Sequence, residues 1–295
     1  MNHTKIFMIF NPTSGSHKQK KIQNYINALK MRDVEVELHE TRYSGHATEI
    51  AEDISRRAPA ACLVAAGGDG TIAEVVNGMV GEGMKLAVYP IGTANVFALE
   101  LGIPFDYKRN IDVLLHGKTQ SVYPGEILKQ GKTEKFIQMA GVGLDSDIVL
   151  NISTRLKRVG GKIAYIFQAL SSVLFYDFKP ITVYIDGQRH EAATVIISKG
   201  RFYAGRYALC TQSMQAEKKF SVILIQNRNA LSFVALALKS LIGGGDISQY
   251  VDCIVGQDIH IRAPQDMPIQ CDGDIRCRTP ARIRVSASGI KIIVP

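Results

Sequence analysis

The chain has 295 residues and a net charge of +8, with 46% hydrophobic and 21% charged residues. That is the composition of a globular protein long enough for two domains, so intrinsic disorder and a disulfide- or metal-dependent mini-fold do not fit. The charge surplus favours anionic partners, and no apolar run reaches the ~20 residues that a membrane-spanning helix needs. Residues 5–10 form an apolar run ended by Asn11-Pro12, which reads as a buried strand and turn. Ile22, Tyr25, Ile26 and Leu29 recur at i, i+3, i+4, i+7 and mark one face of a helix. Val34, Val36 and Leu38 alternate with Glu35, Glu37 and His39, which predicts a strand with one wetter face. Residues 46–57 predict a helix that stops before Pro59, and residues 61–66 a central parallel strand. Ile72, Val75, Val76 and Met79 give another helical face, and residues 86–89 another strand. Strand and helix alternating in this way predict a parallel α/β domain over residues 1–125.

Beyond Val122 extended runs dominate, at 136–142, 181–185, 193–198, 220–226, 259–263, 281–286 and 289–294. Asp186-Gly187, Asp272-Gly273 and Ser288-Gly289 read as short hairpin turns. Residues 126–286 are therefore expected to form an antiparallel β domain, with a soft boundary near 123–128 and the last strand, 287–295, free to return to the first domain. Helical stretches are expected near 161–176 and 230–242. The five cysteines, Cys62, Cys210, Cys253, Cys271 and Cys277, lack CxxC spacing and read as core thiols rather than a disulfide framework or a zinc site. The N-terminus does not read as a signal peptide, so a cytoplasmic location is expected.

The densest chemistry lies at Gly67-Gly68-Asp69-Gly70-Thr71-Ile72-Ala73-Glu74, between a buried strand and a helix. Glycines let the backbone approach a bulky anion, and a helix N-terminus supplies free N–H donors. A P-loop fails, because its spacing puts the first glycine on Asp112 ahead of Gly117-Lys118-Thr119. A Rossmann fingerprint forced onto Gly68, Gly70 and Ala73 lacks the ribose-binding acid ~20 residues on. The protein-kinase motifs HRD and DFG are absent. Two further turns, Asn11-Pro12-Thr13-Ser14-Gly15 and Pro90-Ile91-Gly92-Thr93-Ala94-Asn95, follow the first and fourth strands. The C-termini of parallel strands share one edge, so the three turns together point to a nucleotide-phosphate site.

The motifs occur in a fixed order. They are Asn11-Pro12-x-Ser14-Gly15, Thr41 with Gly45-His46-Ala47, and Gly67-Gly68-Asp69-Gly70-Thr71 with Glu74 and Asn77-Gly78. Pro90-x-Gly92-Thr93-x-Asn95, Gly141-x-Gly143-x-Asp145 and Asp272-Gly273-Asp274 complete them. The set resembles the diacylglycerol kinase catalytic-domain family, in particular its small bacterial lipid kinases, over nearly the whole chain. The resemblance implies an N-terminal Rossmann-like parallel α/β domain, a C-terminal antiparallel β-sandwich and an active site between them. It implies transfer of the γ-phosphoryl group of ATP, with Mg²⁺, to a lipid hydroxyl such as that of diacylglycerol. Carried over, the ATP contacts would be Asn11, Ser14, Gly15, Thr41, Gly67, Gly68, Asp69, Gly70, Thr71, Ile72, Ala73, Glu74, Thr93 and Asn95. Asp69 would also belong to the catalytic Mg²⁺ arrangement, and Asp272 or Asp274 would be the base, with Asp at 274 where the family has Glu.

Three departures from the family pattern stand out. Val96 replaces a frequent Asp. Ala216-Glu217-Lys218-Lys219-Phe220 keeps only Glu217 of the paired acid that holds a structural Mg²⁺ in the family, and its added lysine can supply part of that charge. Lys199-Gly200-Arg201-Phe202 replaces an Asn-Gly before an aromatic. Two basic groups, Arg155, Lys157, Arg158 and Lys162, and Lys199, Arg201 and Arg206, are candidates for an acidic membrane surface at the inner face. The apolar residues within 230–242 are expected to be core or a homodimer contact. Nucleic acid has no supporting signature. A soluble-substrate kinase of the NAD kinase type shares the Gly67–Thr71 element but not the terminal Asp-Gly-Asp. A non-catalytic nucleotide- or lipid-binding regulator would account for the departures.

Overall fold

The computed structural model describes residues 4–12, 16–129, 131–151, 176–203, 207–208, 215–226 and 251–295. It divides into two compact units, Met1–Pro124 with Ser286–Pro295, and Gly125–Val285. The first unit runs β1 (Thr4–Phe10), α1 (Ser16–Lys30), β2 (Val34–Glu40), α2 (His46–Arg57), β3 (Cys62–Gly67), α3 (Asp69–Gly78) and β4 (Lys85–Pro90). α4 (Val96–Glu100), α5 (Tyr107–His116) and β5 (Lys118–Val122) follow, and β20 (Ile290–Val294) comes from the end of the chain. The sheet order is β2-β1-β3-β4-β20-β5, parallel throughout except that β5 runs antiparallel to β20.

β1 and β3 are unbroken apolar runs because both faces are covered. Ile6, Met8, Phe10, Val64 and Ala66 meet Ile22, Tyr25 and Leu29 of α1 and Ile111 and Leu114 of α5. α2 and α3 pack on β1 and β3, where the strand alternation turns Ile9, Leu63 and Ala65 to the other face. The Tyr25 hydroxyl donates to Asn110 Oδ1 at 2.8 Å, and the Asn110 amide donates to the Val88 and Pro104 carbonyls, so this buried polar group is satisfied. α2 and α3 touch at Gly78, where a Cβ would lie 2.1 Å from the Thr48 carbonyl oxygen. Gly78→Ala is expected to destabilise the protein by about 1–3 kcal/mol, read as a lower urea midpoint. An unchanged midpoint would contradict this packing.

The second unit runs β6 (Gly125–Lys129), β7 (Lys132–Phe136), β8 (Met139–Val142), α6 (Leu144–Asn151), β9 (Ile181–Ile185), β10 (Gln188–Ala192) and β11 (Thr194–Ser198). It continues with β12 (Phe202–Tyr203), β13 (Tyr207–Ala208), β14 (Phe220–Ile225), β15 (Asp252–Gly256), β16 (Asp258–Arg262), β17 (Pro268–Cys271), β18 (Asp274–Arg278) and β19 (Ala281–Val285). Two six-stranded antiparallel sheets form, β10-β9-β16-β19-β6-β7 and β15-β14-β11-β8-β17-β18, besides the short β12–β13 pair. Ile181, Val183 and Ile259 of one sheet share a core with Val142, Val195 and Val222 of the other, which makes a β-sandwich. β11 and β14 are buried along their whole length, since Ile196, Ile223 and Ile225 form a second cluster with Met139 and Val251.

Asp186-Gly187 and Asp272-Gly273 are two-residue hairpin turns, with φ of 47° and 86° in the first and 50° and 86° in the second. Ser288-Gly289 is not a hairpin. It joins β19 to β20, whose partners are β4 and β5 rather than β19, because the chain leaves one sheet for another there. Gly117-Lys118-Thr119 leads from α5 into β5, a helix-to-strand step and the reverse of P-loop context. Cys62, Cys271 and Cys277 are free thiols. Cys253 corrects the expectation of thiols throughout, since it is disulfide-bonded. The helices expected near 161–176 and 230–242 also lie outside them. Among the described residues no helix is long and apolar enough to cross a membrane.

Candidate active site

In the first unit β2 and β3 lie on opposite sides of β1, so the strand order reverses between β1 and β3. A crevice at such a point is where open α/β sheets bind ligands. Asn11 follows β1, and its N–H donates to the Ala66 carbonyl at 3.3 Å. Thr41 follows β2, is buried, and donates its N–H to the Phe10 carbonyl at 2.8 Å. Gly67 ends β3 in register with Pro90 of β4. The carboxyl edge of this sheet therefore gathers Asn11, Thr41, Gly67–Thr71 and Gly92–Asn95. Ser14 and Gly15 lie outside the described residues.

Most of the motif side chains at this edge hold the turns themselves. A Cβ on Gly92 would lie 2.4 Å from Gly68 Cα, so the β3–α3 and β4–α4 turns abut backbone to backbone. A Cβ on Gly67 would lie 2.5 Å from the Thr71 side chain. Asp69 accepts from the N–H groups of Val96 at 3.0 Å and Phe97 at 2.9 Å, and so caps α4 from the neighbouring turn. Burial raises its carboxyl, and the N–H groups of Phe97 and Val96 oppose that rise. Asn95 sits at φ 49°, and its amide bonds the Gly92 N–H and carbonyl, both at 2.9 Å. Glu74 accepts from the N–H groups of Gly45 at 2.9 Å and Ala47 at 3.2 Å, capping α2. Ile72 and Ala73 are buried, so only their backbone can face a ligand.

Gly70 and Thr93 differ from these, since both are exposed. A Cβ on Gly70 would meet nothing within 4 Å, and its φ is not left-handed, so neither space nor backbone asks for glycine there. It stands in the first turn of α3, where helix geometry leaves N–H groups without intrahelical partners. Asp69→Asn is expected to cost about 1–3 kcal/mol, because the new amide turns an NH₂ toward a backbone N–H. Unchanged unfolding in urea would remove the cap assigned to Asp69.

The second unit carries the carboxylates. Asp272 opens the β17–β18 turn, and its two oxygens accept from the N–H groups of Ile137 at 2.7 Å, Gln138 at 2.8 Å and Met139 at 3.0 Å. Asp274 lies two residues on, with a side chain 62% exposed and the Arg276 guanidinium 3.5 Å away. Gln270, buried, accepts from the Gly273 N–H at 2.8 Å and donates to Asp145 at 2.7 Å. A Cβ on Gly141 would overlap the Asp145 carboxylate, which explains the glycine of Gly141-x-Gly143-x-Asp145. Asp145 belongs to an ordered motif that assigns it no role, and Gln270 has no local signal in the sequence beyond its place two residues before Asp272.

Glu217 pairs with Lys219 Nζ at 3.2 Å. Its backbone carbonyl, and that of Lys219, accept instead from Lys199 Nζ at 2.5 and 3.0 Å. Lys199 is fully buried, which lowers its ammonium to about 8 against the opposing charge of Glu217. It therefore leaves the expected membrane-facing group, and Arg201 beside it lies half-buried over the Phe202 ring. Among the described residues no group of three or more His, Cys, Asp or Glu could hold a metal ion. The donor set at residues 215–219, one paired acid and a buried ammonium, does not fit a structural Mg²⁺.

Residues 5–127 match the diacylglycerol kinase catalytic domain, and residues 139–294 match the YegS C-terminal NAD kinase beta sandwich-like domain. The chain is 26% identical to a diacylglycerol kinase of Bacillus subtilis (strain 168), covering 98% of this chain and 95% of the relative. It is 25% identical to a diacylglycerol kinase of Staphylococcus carnosus (strain TM300), covering 98% and 94%. A crystal structure of a diacylglycerol kinase from Bacillus anthracis str. Sterne superposes with a TM-score of 0.77 at 21% identity, over 100% of this chain and 98% of that one. The first match takes in the α/β sheet with its Gly-rich edge except β20, and the second runs from β8 through the Asp-Gly-Asp turn to β20, the strand that returns to the α/β sheet. The chain belongs to the diacylglycerol kinase catalytic-domain family.

Proposed function

We propose that the protein is a lipid kinase that transfers the γ-phosphoryl group of MgATP to the hydroxyl of diacylglycerol or a similar neutral lipid alcohol. The observation that carries this reading is Gly70, an exposed helix-start glycine that the fold itself does not require. Its open side supports a ligand that comes close to backbone, and the first-turn N–H groups of α3 suit phosphate oxygens. Mg²⁺ bound with the nucleotide would neutralise phosphate charge. Asp69, Glu74 and Asn95 keep the turns in place, while Thr93, Thr41 and Asn11 frame the nucleotide.

Asp274 is the base in this reading. Its carboxylate takes the lipid hydroxyl proton as the hydroxyl oxygen bonds to the γ-phosphorus and ADP leaves. Asp272 holds the turn through its three N–H bonds. The enzyme would meet its substrate at the anionic inner face of the membrane, by salt-sensitive attraction.

The test is transfer of ³²P from ATP to a panel of diacylglycerol, other lipid alcohols and NAD. Labelling of diacylglycerol to phosphatidate is expected. Labelling of NAD alone, or ATP binding with no turnover across the panel, overturns the reading.

A further inference from the structure

Lys199 has 0% exposure, so its charge reaches no solvent. Buried lysines ordinarily need a paired carboxylate or lose their proton. Lys199 Nζ donates instead to two backbone carbonyls, Glu217 at 2.5 Å and Lys219 at 3.0 Å, and lies 5.7 Å from the Phe220 ring centroid. A loop that turns its carbonyl oxygens inward onto a cation is arranged as a metal-binding loop is. The acid of that loop, Glu217, is paired with Lys219, and residues 215–219 contain no second acid. Two of the three departures from the family pattern, at 199 and at 216–219, meet here.

We infer that the Lys199 ammonium is the resident cation of the 215–219 loop and takes the place of a structural divalent metal. A lysine ammonium suits the role, being a compact point charge with three rotatable donors. Its position also connects the loop to the Asp-Gly-Asp turn. Gln215 Nε2 donates to the Ile137 carbonyl at 2.8 Å, and the Lys199 N–H donates to the Gln138 carbonyl at 2.8 Å. The N–H groups of Ile137, Gln138 and Met139 hold Asp272 from the other edge of the same segment. Gln215 and Lys199 thus hold Ile137 and Gln138 by their carbonyls, while Asp272 holds the N–H groups of all three residues. The inference concerns the second unit's own stability and does not depend on the acceptor substrate.

The test uses the full chain without nucleotide, stripped with chelator, and follows thermal unfolding in chelator, in millimolar Mg²⁺ and in millimolar Mn²⁺. The wild type is expected to melt at the same temperature in all three. Lys199→Met keeps the stem and removes the charge, and is expected to melt roughly 5 °C lower or more, with no recovery on adding either metal. Amide exchange in this variant is expected to quicken at residues 137–139 before the rest of the sandwich. A wild type stabilised by Mg²⁺ or Mn²⁺ overturns the inference without any variant. A Lys199→Met protein with wild-type melting also overturns it, and exchange that quickens uniformly breaks the link to the turn.

Discussion

Replacing Asp274 by Asn is expected to lower lipid phosphorylation roughly 10²–10⁴-fold while leaving the melting temperature nearly unchanged. Replacing Asp272 by Asn is expected to lower the melting temperature as well. The two carboxylates stand two residues apart in one hairpin, but their surroundings divide the roles. Asp274 is 62% exposed and has Arg276 3.5 Å away, an exposed ion pair that contributes about 0–1 kcal/mol. Its oxygens can take a proton from an incoming hydroxyl. Asp272 already receives three backbone N–H groups. Asparagine tolerates the left-handed φ of 50° at that position, so the turn itself survives the change. The new NH₂ faces a backbone N–H, and the lost bonds cost about 2 kcal/mol, a fall in Tm of roughly 4–8 °C. Parallel measurement of kcat and Tm for both variants decides the matter. Wild-type turnover in Asp274→Asn removes it as the base, and an unaltered Tm in Asp272→Asn removes the brace.

The first unit was largely legible because its periodicities are strong. Residues 5–10 and 61–66 are unbroken apolar runs, and only strands covered on both faces need that. β17 and β18 are not legible as apolar runs, since Gln270 interrupts the first and Asp274, Arg276 and Arg278 put three charges into the five residues of the second. Ser288-Gly289 has turn composition, but which strand β20 pairs with is decided by the sheet it joins, over 160 residues away from β5 in sequence. The ordered motifs fall on the carboxyl edge of the first sheet and on the β17–β18 turn. They did not separate side chains that could touch a ligand from those that hold the turns, because Asp69, Glu74, Asn95 and Asp272 make bonds to backbone 3 to 135 residues distant. Lys199 reads as a surface residue in the sequence because lysine is nearly always exposed. Its carbonyl partners lie 18 and 20 residues on, and no local pattern announces them.

Gly70→Ala is expected to stabilise the nucleotide-free protein and to weaken ATP binding roughly 10–200-fold, the cost of a misfitting methyl in a close-fitting site. The opposite signs are what make it informative. The new methyl meets no protein atom within 4 Å, and Gly70 does not use left-handed backbone. Alanine in α3 therefore contributes up to about 1 kcal/mol, through helix propensity and a less free unfolded chain. A phosphate lying against the start of α3 would occupy the space that the methyl enters. Gly92→Ala serves as the control, since its Cβ would fall 2.4 Å from Gly68 Cα. That variant must shift two abutting turns, and it is expected to lose stability by about 1–3 kcal/mol along with ATP binding. Calorimetric titration with MgATP and a thermal melt on each variant separate the cases. If Gly70→Ala binds ATP as the wild type does, the nucleotide does not approach α3 at Gly70, and the observation on which the kinase reading rests is lost.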